Sequence, residues 1–322
     1  MTTATLVTIE EIEAAAERVR GFAYRTPLID VEWRSGDAAG ARAAAFKCEN
    51  LQPMGAFKIR GAANMIQRLG EEARRGVITY SSGNHGQAVA LAAQRLGIRA
   101  VVVMPETATR VKVEGAQRYG AEVEFAGRTS IDRQVRAEAL AAERGLTIVP
   151  PFDHPWIVEG QATVGLEILA QKPDVTTVYV PMGGGGLIAG VSAAIKLRRP
   201  DVRVVGVEPE GAPKMSASRA AGKPVTLPKT ASIADGLLSV RPGELTFAHV
   251  QAFVDEIVTV SDAEIVAALR WQFREARMVV EPSGAVTTAA ILKAGDGLAA
   301  GAVAVISGGN VSAEDYVGYL RS

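Results

Sequence analysis

Apolar residues along the chain switch repeatedly between helical spacing and short unbroken runs, and that switching predicts strands joined by helices. Ile12, Ala15 and Val19 recur at helical spacing behind Thr8, Glu10 and Glu11, so an amphipathic helix over 8–20 opens the chain. Runs at 43–47, 77–80, 100–104, 121–125 and 146–149 read as strands, and helical patterns at 61–69, 111–119 and 131–144 and an alanine-rich stretch ending at Leu96 lie between them. The pattern resumes with helices at 156–171, 187–197 and 262–276 and strands at 177–180, 202–207, 256–260 and 302–306. Each strand is a nearly continuous apolar run, which fits a parallel sheet covered by helices on both faces. The Pro-rich stretch 209–242 follows neither period, and Glu281-Pro282-Ser283-Gly284-Ala285 reads as a helix start.

At 322 residues the chain exceeds one small core, so two lobes with a cleft between them are expected. Three prolines within 150–155 continue neither a helix nor a central strand, and a lobe change is expected there. The uncharged stretch 175–195 is long enough to cross a bilayer, but Pro181 and four consecutive glycines divide it into a strand, a loop and a helix. Lys plus Arg equals Asp plus Glu at 35 each, so no basic field recruits nucleic acid, and the expected partner is a small molecule. A single cysteine, Cys48, forms no internal disulfide, and the first residues lack a basic segment leading into an apolar one. Both features point to the cytoplasm and away from a membrane.

Four stretches carry candidate chemistry. In 50–61 a Gly-bracketed turn sets Lys58 between Phe57 and Ile59; a lysine short of hydration populates its neutral amine and attacks carbonyls. Gly183, Gly184, Gly185 and Gly186 stand between a strand and a helix, where free backbone N–H groups close on a phosphate. No Gly-Lys-Ser/Thr follows, so this is not a nucleotide P-loop. A dinucleotide site remains a rival, because Gly184, Gly186 and Ala189 fit its fingerprint and Glu208 ends the next strand. Ser81-Ser82-Gly83-Asn84-His85-Gly86 offers a second cradle suited to a carboxylate, or an ordinary helix cap, and His85 by itself reads as a structural histidine. Ser307-Gly308-Gly309-Asn310 puts a hydroxyl at the carboxyl end of the last strand, where open α/β sheets bind ligands.

Together these stretches resemble the fold-type II pyridoxal-phosphate enzymes, specifically the threonine/serine dehydratases and serine racemases, from Arg25-Thr26-Pro27-Leu28 to Ser307-Gly308-Gly309-Asn310. The resemblance implies a tryptophan synthase β-like α/β fold of two open parallel sheets covered by helices. It divides the chain into a large cofactor-binding domain of 1–75 and 154–322 and a small domain of 76–153. It implies that Lys58, beside Phe57, carries pyridoxal 5'-phosphate as an imine and that Asn84 bonds the ring hydroxyl. The phosphate falls to Gly183–Gly186 with Leu187, and the ring nitrogen to Ser307. Ser81, Ser82, Gly83, Asn84, His85 and Gly236 are the expected substrate contacts, and 231–238 the selecting pocket.

The reaction implied is dehydration of L-threonine or L-serine. The Lys58 amine takes the α-proton, the β-hydroxyl leaves as water, and a 2-oxo acid and ammonia result. No Asp or Glu lies in the three cofactor loops, which leaves the cofactor phosphate as the candidate acid for the leaving hydroxyl. Ser82, on the opposite face from the lysine in racemases of this family, keeps racemisation as the alternative, with 3-hydroxyaspartate as another substrate. A homodimer is expected, and the chain ends soon after Asn310, so no effector domain and no feedback inhibition by isoleucine are expected.

Three positions depart from the family. Asp153 falls where an asparagine approaches the cofactor, and Ala56 where many members have serine. Racemase-like members bind a divalent cation through positions matching Glu208, the Ala212 carbonyl and an acidic side chain. Here that last position is Lys214, and an ammonium repels the ion. The expectation is therefore no metal, with Lys214 paired to Glu208 in the cation's place and Glu210, in a Pro-Glu-Gly turn, a candidate substitute carboxylate.

Overall fold

The computed structural model of the chain describes residues 5–33, 42–81, 83–108, 110–127 and 130–321. Its strands are β1 Leu28–Trp33, β2 Arg42–Lys47, β3 Val77–Tyr80, β4 Ala100–Met104, β5 Glu122–Phe125, β6 Thr147–Ile148, β7 Thr177–Pro181, β8 Arg203–Pro209, β9 Glu256–Val260 and β10 Ala302–Val305. One sheet runs β1-β2-β10-β7-β8-β9 and the other β5-β4-β3-β6. Every pairing is parallel except that of β1 with β2. This antiparallel edge strand escapes the apolar-run criterion because the exposed Asp30 and Glu32 alternate with the buried Val31 and Trp33.

Burial on both faces follows from the strand pattern. In β10, Ala302 and Ala304 pack with Val286 and Ile291 of helix Pro282–Ala294, whereas Val303 and Val305 pack with Ile188 and Val191 of helix Gly186–Arg198. In the smaller sheet, Val77 and Val102 face a core shared with Ile59 and Ile66 of helix Ile59–Leu69. The opposite face, Ile78, Val101 and Val103, meets Leu140 of helix Ser130–Arg144. Among the described residues, no helix is long and apolar enough to cross a membrane.

The opening helix runs Ile9–Arg18 behind a Thr8/Glu11 capping box. Helices Lys214–Ala221, Glu244–Phe253 and Ala313–Arg321 interrupt stretches where no helix was expected. Two of them owe their first turns to carboxylates outside the helix. Glu208 accepts from the Met215 and Ser216 N–H groups at 2.8 and 2.9 Å, and Asp153 from those of Glu244 and Thr246 at 3.0 and 3.1 Å. The helix expected over 262–276 stays α-helical only through Trp271; Gln272–Ala276 widens to a π-helix that ends at Arg277 with φ +58°.

Candidate active site

Four loops converge beyond the carboxyl ends of β2, β3, β7 and β10, and three of those strands are neighbours in one sheet. The lysine turn after β2 is sewn to the loop after β10. Ile306 and Ser307 carbonyls accept from the Asn50 and Phe57 N–H groups at 2.9 and 3.1 Å, Gly309 N–H donates to the Gly55 carbonyl at 2.8 Å, and Ala56 bridges Gly308. Gly55 has φ +79°, and a Cβ there would lie 2.4 Å from Asn310 Oδ1, so only glycine makes this close approach.

Lys58 stands immediately before helix Ile59–Leu69, half-buried, with Nζ donating to the Pro151 carbonyl at 2.7 Å and lying 5.1 Å from the Phe57 ring centroid. Burial pushes its pKa down to about 8, and no carboxylate opposes the shift. Beneath the turn, Arg60 donates to both oxygens of Glu49 at 2.8 Å and to those of Glu167 at 2.7 and 2.9 Å. Lys47 Nζ adds a third cation contact to this group, donating to Glu167, Gln171 and the Thr26 carbonyl. Burial alone would raise the Glu49 pKa, but Arg60 and Lys47 outweigh it and hold the carboxyl below its usual range. The start and end of the lysine turn are thus clamped by one buried ion network.

Asn84, at the start of helix Asn84–Arg95, is held from both sides. Its Oδ1 accepts from Asn310 Nδ2 at 2.8 Å, and its Nδ2 donates to Glu281 Oε1 at 2.8 Å. Gly83 N–H donates to Ser81 Oγ at 3.3 Å. His85 is buried, with Nε2 3.1 Å from the Val149 carbonyl and Nδ1 without a partner among the described residues. Burial, reinforced by the Lys58 charge, drives its pKa down to about 3, so it is neutral. Ser82 lies outside the described residues.

The glycine loop is shaped by its neighbours. Gly185 has φ +102°, precedes helix Gly186–Arg198, and a Cβ on it would lie 2.7 Å from Thr246 Oγ1. A Cβ on Gly184 would lie 2.4 Å from the Phe152 ring, on Gly183 3.1 Å from the Gly236 carbonyl, and on Gly186 3.0 Å from Phe152 Cβ. Thr246 Oγ1 donates to the Gly184 carbonyl at 2.7 Å, which turns that carbonyl away and leaves the first N–H groups of the helix, including that of the buried Leu187, for an anion. Asp153 is spent on capping helix Glu244–Phe253. Gly236 N–H donates to Ser283 Oγ at 2.9 Å, and Ser307 Oγ donates to the Ser283 carbonyl at 3.4 Å, so Ser283 joins the 231–238 stretch to the last loop.

The dinucleotide alternative fails on Glu208. Its carboxylate is fully buried and already accepts from Met215 N–H, Ser216 N–H, Ser216 Oγ and, at 3.3 Å, Lys214 Nζ, with no access for a ribose. Lys214, equally buried, also donates to the carbonyls of Met182 at 2.9 Å, Ala212 at 3.1 Å and Leu237 at 2.9 Å. Burial lowers its pKa and Glu208 works against that shift. Glu210 is exposed in the adjoining turn.

Sequence reasoning missed Glu281 as a site residue. Its place before Pro282 reads as a helix cap, yet its side chain makes no capping bond and turns to Asn84. Glu281 is buried and its pKa is pushed up to about 8, first by burial and then by the charge of Asp235. A carboxyl group therefore does lie beside the three cofactor loops, although none lies within them.

A family model described as pyridoxal-phosphate dependent enzyme matches residues 19–308. The L-threonine ammonia-lyase of Thermotoga maritima is 42% identical over 307 residues, 95% of this chain and 76% of that protein. The L-threo-3-hydroxyaspartate ammonia-lyase of a Pseudomonas species is 39% identical over 318 residues, 98% of this chain and 99% of that protein. Among solved structures, maize serine racemase matches with a TM-score of 0.90 at 36% identity, covering 98% of each chain.

Proposed function

The chain belongs to the pyridoxal-phosphate-dependent enzymes, and from that membership we propose that it is an ammonia-lyase of β-hydroxy amino acids, converting L-threonine or L-serine to a 2-oxo acid and ammonia. Its cofactor is pyridoxal phosphate. The residues present fit that group: a lysine without a carboxylate partner, a helix N-terminus cleared by glycines for a phosphate, and an asparagine and a serine hydroxyl on the loops around them. When bound, pyridoxal phosphate supplies an electron sink for the α-carbanion of an amino acid.

The observation that carries the reading is Lys58, whose only polar partner among the described residues is the Pro151 carbonyl and whose pKa, lowered to about 8 by burial, leaves a useful neutral fraction near neutrality. In that form it takes the α-proton as general base. The N–H groups of 183–187 would hold the phosphate, Asn84 would bond the ring hydroxyl and Ser307 the ring nitrogen, and Ser81, Ser82, Gly83, Asn84 and His85 would receive the substrate carboxylate. Neutral His85 brings no charge of its own to that loop. The β-hydroxyl would leave as water on a proton from the candidate acid, the cofactor phosphate, and the released enamine would hydrolyse to the 2-oxo acid and ammonia. Gly236 lines the side-chain end of the site.

The reading includes a large domain of 1–75 and 154–322, a small domain of 76–153, a homodimer and a cytoplasmic location. Its support is that the strands of the smaller sheet all fall within 77–148. The test is a product assay on L-serine, L-threonine and L-threo-3-hydroxyaspartate, reading 2-oxo acid, ammonia and D-isomer together. 2-Oxo acid and ammonia in equal amounts from serine or threonine support the lyase reading. D-isomer as the main product would replace it with the racemase that Ser82 invites, preference for hydroxyaspartate would change the substrate, and no product from any of them would refute both chemistries.

A further inference from the structure

Glu281 is a carboxyl buried against the candidate site, and the mechanism above gives it no part. Its Oε1 accepts from Asn84 Nδ2 at 2.8 Å, while Asn84 Oδ1 accepts from Asn310 Nδ2 at 2.8 Å. Asn310 Nδ2 also donates to the Met54 carbonyl at 2.9 Å, in the lysine turn. The Asn84 amide thus has its oxygen and one of its two Nδ2 hydrogens engaged, and the second hydrogen has a fixed direction. Glu281 is tied equally closely to the serine loop. Its N–H donates to the Gly308 carbonyl at 3.2 Å, and a Cβ on Gly308 would lie 2.3 Å from Oε1, so the backbone after Ser307 rests directly on the carboxyl.

We propose that Glu281, in its neutral form, is a positioning residue for the cofactor: it orients Asn84 toward the ring hydroxyl and seats the Ser307 loop. The inference rests on the reading that this site holds pyridoxal phosphate. Neutrality matters because an ionised carboxylate one side chain from the ring hydroxyl disfavours the anionic form of that oxygen. The charged groups facing Glu281 are Asp235, which favours its protonation, and Lys112, which opposes it. These two pair with each other at 2.6 Å. The Asn84 amide and the Asn310 backbone also favour the ionised form, but burial outweighs them and the carboxyl titrates near 8. Glu281 is therefore protonated at neutral pH and ionises as the medium turns alkaline.

The test compares Glu281→Gln and Glu281→Ala with the wild-type holoenzyme, reading cofactor affinity by titrating the resolved chain with pyridoxal phosphate and following the cofactor absorbance from pH 6 to 9.5. Glutamine keeps the acceptor for Asn84 and cannot ionise. It should retain wild-type affinity at pH 7 and lose a spectral transition that the wild type shows near pH 8. Alanine should weaken the cofactor about five- to tenfold at pH 7, the loss of one orienting hydrogen bond. The proposal is overturned if the glutamine variant binds as weakly as the alanine variant, or if wild type and glutamine variant titrate identically. Should the alanine variant fail to fold, the pH comparison of wild type with the glutamine variant decides alone. A wild-type chain that takes up no cofactor would sink the site assignment itself, whereas failure of this inference appears with the cofactor band present.

Discussion

Replacing Lys214 by methionine removes an internal cation and leaves its cage. The wild-type ammonium is surrounded by the Glu208 carboxylate at 3.3 Å and the carbonyls of Met182, Ala212 and Leu237 at 2.9–3.1 Å, with both ionic side chains fully buried. Methionine fills the volume but strands a buried carboxylate, and breaking one partner of a buried pair costs about 3–5 kcal/mol. The lower half of that range applies, because Glu208 keeps its bonds to Met215 and Ser216. For a chain of this size the loss corresponds to a drop in melting temperature of roughly 5–10 °C. The Met182 carbonyl leads into the glycine loop, so cofactor affinity should fall as well. Lys214→Asp replaces the ammonium with a second carboxylate among the same carbonyl oxygens, a set suited to a hard divalent cation. Its melting temperature should rise with magnesium or calcium and fall again with chelator, while the wild type responds to neither. Thermal melts of the three proteins with and without chelator decide the matter. A wild type destabilised by chelator and restored by magnesium, or a methionine variant melting within a degree or two of wild type, would refute the reasoning.

Arg60→Met should destabilise the chain by about 3–5 kcal/mol in denaturant melts, because it strands the buried Glu49 and leaves Glu167 with Lys47 as its remaining cation; Arg60→Lys, which keeps the charge without the two-sided fork, should fall between it and wild type. Recombination of the cofactor-free chain with pyridoxal phosphate requires the neutral Lys58 amine, so its stopped-flow rate should rise about tenfold per pH unit below 8 and level off above it. A lysine at the ordinary 10.5 would keep accelerating to pH 10. The same shift has a stability sign: the folded state holds fewer protons on Lys58 than the unfolded state between about 8 and 10.5, so its contribution to stability rises with pH across that window.

Much of the scaffold was legible because its strands are continuous apolar runs: β3, β4 and β9 begin and end within a residue of the runs that predict them. What escaped was specified from a distance. Helices Lys214–Ala221 and Glu244–Phe253 carry no side-chain N-cap of their own; Glu208, at the end of the preceding strand, and Asp153, remote in sequence, supply it. The site was legible in its glycines and its lysine turn, though flanking apolar residues alone do not single out Lys58. Lys47 sits between Phe46 and Cys48 and is more deeply buried, yet Glu167, Gln171 and the Thr26 carbonyl consume its donors. Lys214 sits beside Met215 and is likewise spent on oxygens. Only the three-dimensional partner list distinguishes a lysine that balances charge from one left with a single carbonyl. Glu281 shows the converse, since a carboxylate before a proline looks like a cap and its partner Asn84 lies on the other sheet's loop.

The most direct test of the account is where the cofactor attaches. The holoenzyme, treated with borohydride and digested, should lose its absorbance band near the visible edge and yield one pyridoxyl-modified peptide, with the added mass on Lys58; Lys58→Ala should show neither band nor adduct. A modification on Lys47, Lys214 or another lysine, or a band that survives in Lys58→Ala, would contradict the assignment on which the proposed chemistry stands.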